Sequence, residues 1–238
     1  MSSDPTLDAL RERMRMRTSA PLQTTPRRSD LLFLVAVTGL SWMFWDSLIL
    51  WPFRLLVVTF HELGHALTAL LTGGSVVGLQ VSFNEGGLTL TQGGLRFLIL
   101  NGGYLGSAAF GLALLVATRK EGRGKLLAAL LGLVLLGTAL LWVPIFSFGF
   151  LYVSLAGFAF FWVSRRLSGL VADRAVRAIG LFSVLYALFD IRSDVFGGSG
   201  VSDAVMLAQL TGIPALLWGG LWLIACLVTL WQSRRWWL

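Results

Sequence analysis

Phe60-His61-Glu62-Leu63-Gly64-His65-Ala66 is the stretch on which the reading of this chain turns. It holds both histidines of the protein, four residues apart, with a glutamate directly after the first. It lies inside an apolar run, Leu55-Leu56-Val57-Val58-Thr59 before it and Leu67-Thr68-Ala69-Leu70-Leu71 after it. On a helix, residues four apart share a face, one turn above each other. Two imidazoles so placed can grip one zinc ion, and Glu62, about 100° round the helix from His61, can reach a water on it. Zinc lowers the pKa of its bound water to about 7, and a neighbouring glutamate can take that proton as general base. The bland alternative is a helix that happens to carry polar residues. A glutamate and two histidines at membrane depth are costly, however, and a metal satisfies all three.

Composition sets the environment. Of 238 residues, 56% are hydrophobic and only 13% are charged, against about 25% charged in a soluble domain. Mean hydropathy is +0.77. The chain therefore reads as an all-α polytopic membrane protein of about 6–7 spans rather than a soluble enzyme. Net charge is +7, but the basic residues flank apolar runs, so the charge speaks for topology and anionic lipid, not for nucleic acid. The one cysteine, Cys226, excludes an internal disulfide and lies in an apolar run.

The order of the chain follows from hydropathy. Residues 1–30 form a polar tail with Arg11, Arg13, Arg15, Arg17, Arg27 and Arg28, expected to set orientation. No short apolar run with a small-residue cleavage site marks a signal peptide. Residues 31–238 are expected to form one polytopic domain. Its spans are expected at Leu31–Trp51, Leu55–Leu71, Leu95–Thr118, Leu126–Val143, Ile145–Val163, Ala178–Phe196 and Ile213–Leu230. Trp42, Trp45 and Trp51 read as interface anchors, and Asp46 as an interfacial carboxylate. The loops 119–125 and 165–177 are basic. Between the second and third spans, residues 72–94 partly alternate around Asn84-Glu85-Gly86-Gly87, the pattern of a β-hairpin or re-entrant insert. Its edge either pairs with an extended substrate or is a plain connector.

A catalytic zinc takes three protein ligands and keeps one position open. With no third histidine, the third ligand must be a carboxylate. Asp190 ends a long apolar stretch and is the first choice. Asp194, one turn further on, is the second, with an Asp–Arg pair around Arg192 as the metal-free alternative. Asp203 and Glu85 fall in loops, and Ser202-Asp203 reads as a helix cap. Asn101, in the glycine-rich Asn101-Gly102-Gly103-Tyr104-Leu105-Gly106, either hydrogen-bonds a substrate backbone or packs helices.

These features resemble the site-2 protease family, the intramembrane zinc metalloproteases. The resemblance rests on His61-Glu62-Leu63-Gly64-His65-Ala66, on the Thr72-Gly73-Gly74 hairpin start, on the glycine-rich stretch at 101–106 and on a late intramembrane aspartate. It covers roughly residues 54–196. It implies Zn²⁺ on His61, His65 and Asp190, with Glu62 as catalytic base. It further implies a membrane-embedded protein substrate cut in or near a transmembrane segment, and a multi-pass protein of the bacterial inner membrane. The chain departs from the family where Asp190 is followed by Ile191 rather than glycine, and where no asparagine–proline stretch precedes it. The compact chain leaves no room for a PDZ module, as in a small, divergent bacterial branch. The departure keeps open a second class of function: a catalytically inactive, site-2-protease-like scaffold or metal-binding accessory protein.

Overall fold

The computed structural model describes residues 28–196 and 202–237. The Arg-rich tail up to residue 27 and the glycine-rich stretch 197–200 lie outside the described residues. Eight helices and one hairpin are described: α1 (Arg28–Met43), α2 (Trp51–Leu71), β1 (Ser75–Val81), β2 (Gly87–Gln92), α3 (Arg96–Ala117), α4 (Gly124–Trp142), α5 (Phe148–Arg166), α6 (Gly169–Phe196), α7 (Asp203–Thr211) and α8 (Ala215–Trp237). The fold is that of an all-α polytopic membrane protein with a two-stranded antiparallel hairpin directly after the helix of the histidine motif.

Four of these helices, α3, α4, α5 and α8, are long and apolar enough to cross a bilayer by length and composition. Two further long helices are more polar. In α2 the motif residues His61, Glu62 and His65 lower the mean hydropathy, and α6 carries Asp173, Arg174, Arg177 and Asp190. Outward faces remain apolar, with Leu133, Leu140, Leu155 and Phe158 all exposed. Such a surface is what lipid, not water, would cover.

The main core gathers Leu55, Val57 and Phe60 of α2, Leu79 and Val81 of β1, Leu131 and Leu135 of α4, Val153 of α5, and Val176 and Phe182 of α6. Helices α2 and α3 cross at contact distance because both are glycine at the crossing. A Cβ on Gly64 would collide with the carbonyl of Gly102, and one on Gly102 would lie 2.8 Å from the carbonyl of Gly64. Small residues at such a crossing let backbones meet where lipid supplies no hydrophobic drive for association. A second cluster joins Leu100 and Tyr104 of α3, Ile191 of α6, Ala204 and Leu207 of α7, and Trp218 and Trp222 of α8. That cluster holds the short helix α7 against α3.

Three boundaries differ from the sequence reading. The first apolar helix ends at Met43, not Trp51, in a run of turns: Ser47 N–H donates to the carbonyl of Phe44 at 2.9 Å and Leu50 N–H to that of Ser47 at 3.2 Å. Trp45 there is half-buried. Its ring packs on Phe189 at 4.3 Å and on Phe182 at 5.5 Å. Helix α6 starts at Gly169, so the expected basic loop is mostly helical. Asp173 accepts from the N–H groups of Gly122 and Gly124, and Arg177 donates to the carbonyl of Thr118 at 2.8 Å. The charges tie two helix ends together instead of marking a loop. The third difference is α7, a short helix that no expected span covers, although its cap at Ser202-Asp203 was expected and is present. Ser202 caps it, accepting from Val205 N–H at 3.4 Å, and Gly212 closes it with φ of +75°.

The hairpin forms where the alternation placed it. Ser75 pairs with Gln92 and Val81 with Gly87, with a bulge between Val76 and Gly78. Its turn is fastened to the start of α2. Arg54 makes a two-pronged ion pair with Glu85, at 2.8 and 2.7 Å, and also donates to the carbonyls of Trp45 and Ser47. The Trp51 indole Nε1–H donates to the carbonyl of Phe83 at 3.0 Å, and the two rings pack at 4.7 Å.

Candidate metal centre

His61 and His65 lie one turn apart on α2, and their imidazoles converge, with Nε2 atoms 3.0 Å apart. The carboxylate that meets them is Asp203 of α7. Its Oδ2 lies 3.1 Å from His61 Nε2 and 3.1 Å from His65 Nε2. Among the described residues these three form the group placed to hold a metal ion. All are screened from the surroundings, with side-chain exposures of 14%, 9% and 8%.

The helices around the group orient it. Ile99 carbonyl oxygen stands 2.7 Å from His65 Nδ1. A proton on Nδ1 donated there leaves the Nε2 lone pair facing His61 and Asp203. This is the arrangement by which ligand histidines are held in one tautomer. Tyr104 meets the His61 ring edge-on at 4.6 Å and rests on Trp222 at 4.9 Å. Gly103 of α3 backs onto both imidazoles, and a Cβ there would lie 2.6 Å from His65 Nε2. The glycine-rich stretch of α3 thus does two things: it lets α2 approach, and it leaves the imidazoles their space.

Glu62 points to the hairpin. Its Oε2 accepts from the hydroxyl of Thr89 on β2 at 2.6 Å. Gly87 lies against the same side chain, where a Cβ would stand 2.8 Å from both Cγ and Cδ of Glu62. His61, Glu62, His65 and Asp203 open on one cavity of about 960 Å³, also lined by Glu85, Gly87, Thr89 and Arg96.

The sequence reading placed Asp190 as the third member of the group. In the structure Asp190 lines the same cavity, but the carboxylate in contact with both imidazoles is Asp203. The reason is tertiary: α7 folds back under α3 and α8 and delivers its first residue to the histidines. The side chain of Asp194, the second choice, lies outside the described residues. Asn101 does not line the cavity. Its Nδ2 donates to the carbonyl of Phe97 at 2.7 Å, and its Oδ1 accepts from the Trp222 indole Nε1–H at 2.7 Å, so its amide links α3 to α8. Thr89 was not singled out from sequence, since nothing local in Leu88-Thr89-Leu90 ties it to a motif 27 residues earlier. A weak signal for Asp203 existed. Ser202 already serves as the cap, which leaves the adjacent carboxylate unneeded at the helix start.

A polytopic membrane fold with two histidines and an aspartate gathered beside a buried glutamate defines the class: a membrane protein of peptidase type. The chain belongs to the Peptidase M50B-like family, whose model matches residues 33–233. This bears out the resemblance to site-2 proteases. No curated protein and no solved structure matches the chain.

Proposed function

We propose that the protein is a zinc metalloendopeptidase that hydrolyses peptide bonds in or near transmembrane segments of a membrane-protein substrate, with His61, His65 and Asp203 as ligands and Glu62 as general base. The observation that carries this reading is the convergence of the three donor atoms beside Glu62 in one cavity. The donor set suits zinc. A tetrahedron with bonds of about 2.0–2.1 Å has edges of about 3.3 Å, and the three donor–donor distances here are 3.0, 3.1 and 3.1 Å. Three protein ligands of the nitrogen–nitrogen–oxygen type leave a fourth position open for water or substrate.

When bound, zinc supplies Lewis acidity, polarising a carbonyl and acidifying a water. The remaining work falls to the chain. His65, held through Nδ1 by Ile99, keeps Nε2 available as a donor. Glu62 takes the proton of the attacking water on its carboxylate and returns it to the leaving amine. Tyr104, Leu100 and Ile99 line the cavity. Gly87 and Thr89 of the hairpin also line it, on the side from which Glu62 is held. We place the protein in the bacterial cell membrane as a multi-pass protein, with a substrate that is itself membrane-embedded.

The test is cleavage of a transmembrane peptide reconstituted with the purified, zinc-loaded protein. The expected result is cleavage by wild type that is lost in Glu62→Ala, with folding retained. Equal behaviour of wild type and Glu62→Ala, with neither cutting, would support the inactive scaffold instead.

A further inference from the structure

The Thr89 hydroxyl and Gly87 enclose the Glu62 carboxylate from one strand, and from this we infer that Thr89 is a positioning residue for the general base. The inference rests on the reading of Glu62 given above and adds a residue from a separate element, outside the histidine motif. The geometry is specific. Thr89 Oγ1 lies 2.6 Å from Glu62 Oε2 and 3.1 Å from the Glu62 backbone carbonyl. A hydroxyl has one proton to donate. The shorter contact, to an ionisable carboxylate, is the one favoured. Oε2 is thereby engaged by Thr89, and Oε1 lies against Gly87 of the same strand.

Gly87, two residues earlier and on the same face of β2, has no side chain, and the glutamate fills that space. Glu62, 5% exposed, is therefore held from both sides of its carboxylate: one oxygen bonded by Thr89, the other oxygen and the stem lying over Gly87. The strand that does this is itself anchored. Glu85, at the hairpin turn, is clamped by Arg54, and Phe83 by Trp51. A base held to a set orientation avoids the entropic cost of finding it in each turnover.

The experiment compares wild type, Thr89→Val, Thr89→Ser and Glu62→Gln, all zinc-loaded. Valine keeps the shape of threonine and removes the donor, while serine keeps the donor. Two readouts are taken beside zinc content. One is binding of acetohydroxamic acid, a bidentate zinc chelator whose hydroxyl proton is shared with an adjacent carboxylate. The other is the split between kcat and KM on unfolded β-casein. The expected result is that Thr89→Val keeps one zinc and its KM but binds the hydroxamate at least tenfold more weakly and loses kcat about tenfold or more, as for a hydrogen bond to a charged group. Thr89→Ser restores both to within about threefold, and Thr89→Val adds little in the Glu62→Gln background. Hydroxamate binding by Thr89→Val equal to wild type, with Glu62→Gln impaired, overturns the role of Thr89 and leaves Glu62 as base. Loss of zinc in Thr89→Val also overturns it, as a structural role. Wild-type behaviour of Glu62→Gln, or no hydroxamate binding by wild type, overturns the underlying reading of the site.

Discussion

Gly103 of α3 and His61 of α2 leave no room for a methyl group between them. A Cβ on Gly103 collides with His61 Nε2 and lies 2.6 Å from His65 Nε2. Alanine is the better helix former by about 1 kcal/mol, so Gly103→Ala does not harm α3 as a helix. The added methyl instead pushes the imidazoles apart. The expected outcome is zinc affinity about 10–100-fold lower in a protein whose helicity by circular dichroism is unchanged. Metal content after dialysis against a calibrated chelator checks it.

Arg54 fastens the hairpin to α2, and its removal leaves Glu85 without its partner. Arg54 is 8% exposed, but the Glu85 side chain is 25% exposed, so water recovers part of the loss. Arg54→Met is expected to destabilise the protein by about 1–2 kcal/mol. In a chain of this size that lowers the melting temperature by roughly 2–4 °C per kcal/mol. Hydrogen exchange is expected to quicken across residues 75–92 and not in α4 or α5. Uniform exchange changes, or none, would contradict the anchoring role.

Asn101 is expected to matter for packing alone. Asn101→Leu removes the acceptor of Trp222 and costs about 0.6–2 kcal/mol, the range for interhelical hydrogen bonds in membranes. Zinc content and the affinity for acetohydroxamic acid are expected to stay at wild-type values. A selective rise in KM for peptide substrate, with stability unchanged, would return Asn101 to the substrate-binding role weighed from sequence.

How much of this was legible in the chain follows from how local each signal is. His61, Glu62 and His65 lie within five residues on one helix, so helical geometry alone brings them together. The hairpin was legible because alternation and Asn84-Glu85-Gly86-Gly87 are local too. Asp203 was not. It reaches the histidines from 138 residues beyond His65, through packing of Ala204 and Leu207 against Leu100, Tyr104 and Trp222. Ranking carboxylates by depth in an apolar run chose Asp190, which lines the same cavity, while Asp203 is the carboxylate 3.1 Å from both imidazoles. The start of α6 was hidden for a different reason. Asp173 and Arg177 look like loop charges until their partners, Gly122, Gly124 and Thr118, are seen.

The central claim is that Asp203 completes the metal site. Zinc per chain in detergent-purified wild type, His65→Ala, Asp203→Ala and Asp190→Ala tests it most directly. The expected result is about one zinc in wild type and in Asp190→Ala, as for a three-ligand site, and little or none in His65→Ala and Asp203→Ala. Zinc retained by Asp203→Ala and lost from Asp190→Ala would contradict the account and restore Asp190 as the ligand.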